Sequence, residues 1–181
     1  MLEEAFRRQH GAPSFPVEFD QLAAQIEFVR LEPERRYDIA GLNVRAMLQS
    51  HSGDSYGYRF EHGGKSVVYS TDSEHKLEDQ KLTNAFVEFF RNADLVIFDA
   101  MYALADAVSV KADWGHSSNI VGVELCQTAG ARRLCLFHHE PMYSDNRIYK
   151  VWRDTRRLEE LTRTGTPLEV LAAYDGLEVS L

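Results

Sequence analysis

Three apolar runs of strand length each end in a residue that can bind a metal or move a proton: KSVVYSTD closes on Asp72, DLVIFD on Asp99 and RRLCLFH on His138. Short apolar runs bounded by turn residues read as buried strands. The segments between them carry helical spacing instead. KLTNAFVEFFRNA, residues 81–93, has apolar residues three and four apart; SSNIVGVELCQTAGA, residues 117–131, starts on serines suited to an N-cap and stops at Gly130. SDNRIYKVWRDTRRLEELTRTG, residues 144–165, is a charged amphipathic helix. Strands alternating with helices build an open sheet with parallel strands, and such sheets bind ligands beyond the carboxyl ends of those strands.

The first third of the chain reads differently. The opening segment to about Gly11 is helical, and a short helix is expected around Phe19 to Ile26. DIAGLNVRAML (38–48), YGYRF (56–60) and KSVVYSTD (65–72), the last two joined through an EHGG turn, read as antiparallel strands. PLEVLAAYDGLEVSL closes the chain as a hairpin through Asp175-Gly176. No repeat or flexible linker divides the chain, so residues 1–181 are expected to form one domain of α/β class with a mixed sheet.

Composition limits the partners. With 44% apolar and 27% charged residues the chain can bury a core, and a net charge of -8 argues against bulk electrostatic capture of long nucleic acid. No apolar stretch approaches the ~20 residues that span a bilayer, and MLEEAFRRQHG lacks a signal-peptide core, so a cytoplasmic protein is expected. Cys126 and Cys135 sit inside apolar patterns as small core residues.

Four residues carry the chemistry. His51 ends an earlier strand in MLQSHSGD; Asp72 and His138 end later ones; His116 lies in WGHSS. Taken singly, Asp72 reads as a cap or turn aspartate and His116 as the residue before a serine cap. Their recurrence at strand ends points instead to a shared site, because imidazole nitrogen and carboxylate oxygen are the donors that zinc takes. His10, His62 and His75 read as solvated surface residues. Trp114 is expected to line the cleft and Trp152 to pack the late helix.

The run SYGYRFEHGGKSVVYSTDSEH, then ADLVIFDAMY, then WGHSSNIVGVELCQTAGARRLCLFHHEPMYSD, resembles the metallo-β-lactamase fold superfamily, in the branch with ribonuclease Z-like and cyclic-phosphodiester hydrolases. The resemblance covers about Pro16 to Leu181. It implies an αββα sandwich, here incomplete at its N-terminal side: the C-terminal half to two-thirds of the fold. It also implies that His51 ligates one metal, that Asp72 bridges two, that His138 ligates the other, and that His116 helps stabilise or protonate the leaving oxygen. Asp99 would orient neighbours, His139 would lie behind the ligands or at the surface, and Tyr143 and Asp145 would shape the pocket. The metals would be two zincs in the complete site, with manganese or iron as substitutes. The superfamily's first signature, HxHxDH, is absent from these 181 residues, so both metal positions are short of ligands and the isolated chain is expected to be inactive.

Three accounts follow. In the first, the chain belongs to a metal-dependent hydrolase of a small phosphodiester or nucleotide-like substrate, completed by a missing N-terminal segment or a partner chain. In the second it is an inactive scaffold that forms an interaction or dimerisation module through an uncovered sheet flank. In the third, His51, Asp72 and His138 alone hold a single ion.

Overall fold

The computed structural model describes residues 2–103 and 115–181. Trp114 lies outside the described residues. Two compact units are present, one running to Glu32 and one from Pro33 to Leu181. The first opens with helix α1 (Leu2–Gln9), whose Arg7 pairs with Glu3 and Asp20 and lies over the Phe19 ring. The helix expected around Phe19 to Ile26 shrinks to a single 3-10 turn, Phe19–Gln21. Short isolated helices are marginal in water, and here the chain extends after the turn so that Phe28 reaches Phe6 and Phe19, with ring centroids 5.8 and 6.1 Å away.

The second unit is built on a seven-stranded mixed sheet in the order β1 (Arg36–Ile39), β2 (Leu42–Gln49), β3 (Ser55–His62), β4 (Lys65–Ser70), β5 (Leu95–Asp99), β6 (Arg133–Phe137), β7 (Glu169–Ala172). β1 to β4 pair antiparallel and β4 to β7 pair parallel. The change of mode follows from the connections. Tight turns can only join antiparallel neighbours, whereas parallel ones need a crossover, supplied by α2 (Gln80–Phe90), the segment holding α3 (Asn119–Ala129), and α4 (Asp145–Thr162). Asp79 caps α2 by accepting from Leu82 N at 3.0 Å, Ser118 caps α3, and α3 ends on left-handed Gly130.

Two strand expectations are corrected. DIAGLNVRAML is not one strand, because Ala40 and Gly41 both take positive φ and fold it into the β1–β2 hairpin; positive φ at both central residues gives the turn whose twist suits paired strands. The closing hairpin keeps its turn, with Leu177 N donating to Tyr174 O at 3.0 Å, but no strand returns. β7 pairs with β6 alone, and Arg133 of β6 instead donates to Ser180 O at 2.5 Å. Among the described residues no helix is long and apolar enough to cross a membrane.

The core lies between the sheet and the helices. Val68, Val96, Phe98, Leu134 and Leu136 from the strands meet Phe86 and Phe90 of α2 and Val123 and Leu125 of α3. Trp152 packs the late helix as expected, its indole donating to Val170 O at 2.9 Å. His75 is a correction: it is buried in this core, 4.2 Å from the Phe86 ring and stacked 5.1 Å from Phe98, and neither ring nitrogen has a partner. Burial among aromatic rings disfavours its charged form and pushes its pKa down to about 3. Between an ordinary value near 6.5 and this value the unfolded chain binds a proton that the folded chain refuses, so stability falls as pH falls. His75 should contribute about 2 kcal/mol to the difference in unfolding free energy between pH 7 and pH 5, and His75→Phe should remove that part of the slope in urea unfolding; an unchanged slope in the variant contradicts the assignment.

Candidate metal centre

The topology brings the chosen residues to one rim. β2 and β4 run in the same direction, each antiparallel to β3, and β5 and β6 run parallel to β4. The carboxyl ends of β2, β4, β5 and β6 therefore share an edge, and His51, Asp72, Asp99 and His138 stand at those ends. Asp72 Oδ1 lies 3.1 Å from His138 Nε2 and 4.0 Å from His51 Nε2. The His116 ring is 4.7 Å from that of His138 and 5.1 Å from that of His51. Candidate ligand atoms of His51, Asp72 and His116 all fall within 4.8 Å of one another.

This donor set fits a divalent metal. Two ligands about 2.1 Å from one tetrahedral ion lie about 3.4 Å apart, and the measured separations bracket that value. Asp72 and His138 also carry positive φ, 53° and 57°, a conformation costly for residues with a Cβ and concentrated at working sites.

Asp99 supports the rim from below. It is fully buried; its Oδ2 accepts from His116 Nδ1 at 2.8 Å and from Ser73 N at 3.1 Å, and its Oδ1 accepts from Met101 N at 3.2 Å. A carboxylate on one imidazole nitrogen fixes the tautomer and leaves Nε2 to act. Ser117 ties the same loops, donating to Ser73 O at 2.7 Å and accepting from His75 N at 3.0 Å. Gly115 brings the loop close: at φ 84° it has no side chain, and a Cβ there would sit 2.8 Å from the His51 ring.

The remaining candidates lie around this group. His139 Nε2 faces Ala173 O at 3.2 Å, joining the ends of β6 and β7, and burial lowers its pKa. The Tyr143 hydroxyl accepts from Ala103 N at 3.4 Å, and Asp145 is exposed in the first turn of α4. Ser73 and Ser117, which tie the rim together, escaped the sequence reading because serine beside a cap or turn carries no distinctive signal.

Residues 6–139 match the family model described as the beta-lactamase superfamily domain. The chain belongs to that family. Its curated relatives include ribonuclease Z of Brevibacillus brevis, 32% identical over 45% of this chain and 23% of the relative, and ribonuclease Z of Thermoplasma acidophilum, 23% identical over 68% of this chain and 53% of the relative. The chain thus spans about half or less of the length of these superfamily members. Among solved structures, the metallo-beta-lactamase fold protein YhfI of Bacillus subtilis matches with a TM-score of 0.66 at 20% identity, over 97% of this chain and 60% of that one. The short form of human tRNase Z matches at 0.53 and 20% identity, over 80% and 45%, and Zn(2+)-bound PqqB of Methylobacterium extorquens at 0.52 and 16%, over 83% and 55%. The fold is therefore that of the superfamily.

Proposed function

We propose that this superfamily member works as part of a metal-dependent phosphodiester hydrolase in which His51, Asp72 and His138 hold divalent metal and His116 delivers a proton to the leaving oxygen. One observation carries the reading: three imidazoles and a carboxylate from four separate strand ends and loops converge on one rim, with a buried Asp99 locked onto the fourth partner's far nitrogen. The chemistry that bound divalent metal supplies at such a rim is Lewis acidity, which polarises a phosphoryl oxygen and makes water nucleophilic near neutral pH. Asp99 holds His116 by Nδ1, so the proton that His116 would give to a departing alkoxide is the one on Nε2. Asp72, placed between His51 and His138, is the carboxylate both metal positions would share.

Zinc is the metal the donor set favours, and the zinc in PqqB supports it. The ribonuclease Z relatives support a phosphodiester as the bond cleaved, while the net charge of -8 favours a small or nucleotide-like substrate over a long polyanion. The remaining ligands would come from an HxHxDH-bearing segment beyond these residues or on a partner chain. Support comes from the sheet face carrying Leu48, Tyr56, Tyr69 and Phe137, which share one side by register and remain 37–48% exposed next to the rim.

The test is to supply such a segment with zinc and assay diesters whose leaving groups differ. Turnover should appear, and His116→Ala should cost about 10² to 10⁴ in rate for an alkyl leaving group but far less for p-nitrophenolate, which leaves unprotonated. Absence of both zinc uptake and turnover in every combination would favour the inactive interaction module instead.

A further inference from the structure

At the metal-centre rim, β2 and β4, which flank β3, are linked across it by a side chain. The β3–β4 pairing stops at Tyr58↔Tyr69, whereas the β2–β3 pairing continues to Gln49↔Ser55. Ser70 and Thr71, the two residues leading into Asp72, therefore have no ladder partner on β3. Gln49, two residues before His51, takes over. Its Nε2 donates to Thr71 O at 2.8 Å and to Ser55 Oγ at 3.1 Å, and its Oε1 accepts from Ser70 Oγ at 2.5 Å. Gln49, Ser70 and Thr71 are all buried. One further backbone clasp, Glu74 N to Ser50 O at 2.8 Å, closes the same gap from above.

The carboxamide passes across β3 at Gly57. A Cβ on that residue would lie 2.6 Å from Gln49 Oε1 and 3.3 Å from Tyr69 O, so any other side chain would displace the bridge. A buried amide with donors and acceptor all satisfied is a rigid spacer, and this one spans from the His51 strand to the Asp72 strand.

We propose that Gln49 is a positioning residue that sets the separation of His51 from Asp72, and that Gly57 is the gap in β3 that admits it. The proposal rests on the reading that His51 and Asp72 hold metal, and it adds the residue that fixes their spacing. Groups behind metal ligands typically account for 10- to 100-fold in metal affinity, which sets the size of the effect.

The experiment combines Gln49→Leu, Gln49→Glu, Gln49→Ala and Gly57→Ala in the full chain with three readouts: zinc affinity against a chromophoric chelator, imidazole NMR of the metal-free protein, and the unfolding midpoint. Gln49→Leu should bind zinc about 10- to 100-fold more weakly and should move the His51 ring resonances in the metal-free protein while leaving those of His62, at the far end of β3, in place. Gly57→Ala should reproduce both changes with Gln49 intact, and should add nothing once Gln49→Ala has cleared the space. A folded Gln49→Leu variant with a lowered midpoint but unmoved His51 resonances and unchanged zinc affinity would overturn the proposal, since that is the behaviour of a purely structural residue. If the parent chain takes no zinc, the metal reading fails. The metal-free spectra still decide Gln49, because an unmoved His51 sinks it. Should Gln49→Leu not fold, Gln49→Glu and Gly57→Ala are judged on the same spectra.

Discussion

Phe98→Ala is expected to lower the unfolding free energy by about 3–5 kcal/mol, a large share of the roughly 5–15 kcal/mol that holds a domain of this kind together. Phe98 is fully buried in the middle of the sheet, 6.1 Å edge-to-face from Phe90 and stacked on His75. α3 crosses it at Gly122, where even a Cβ would approach the Phe98 ring to 2.8 Å. With sheet, helix and aromatic neighbours already in close contact, the space cannot collapse cheaply, and the lost contacts add to the lost transfer free energy. The change also reaches the rim, because the next residue is Asp99, which holds His116. Chemical denaturation read by circular dichroism checks the prediction, and a loss below about 1 kcal/mol would mean that the core is looser than its packing indicates.

The parallel half of the fold was legible because its strands are short apolar runs separated by capped helices, and both signals are local. The strand-end positions of Asp72, Asp99 and His138 were legible for the same reason: each ends such a run. The departures come from signals that are weak or non-local. Ala40-Gly41 makes a hairpin turn that an alternating apolar pattern conceals. Asp175-Gly176 makes its turn, but the residues after it find no strand to pair with, and Arg133 takes Ser180 O instead. His75 looks polar in sequence and is buried only because Phe86, Phe90 and Phe98 arrive from two other elements. Gln49 and Gly57 are meaningful only as a pair, since the reason for the glycine is a side chain on the neighbouring strand.

Asp72→Ala is expected to weaken zinc binding at the rim by about 10²-fold or more, beyond the range seen when only a supporting group is lost. Among the described residues Asp72 pairs with both His138 and His51, at 3.1 and 4.0 Å, and its side chain is partly exposed, so its removal should leave the core intact. The decisive measurement is a zinc titration of the ¹⁵N-labelled chain followed at its imidazoles. His51 and His138 should respond together along one saturable curve that Asp72→Ala flattens, with His62 silent throughout. Imidazoles that ignore zinc, or that respond to it independently of one another and of Asp72, would contradict a shared metal centre.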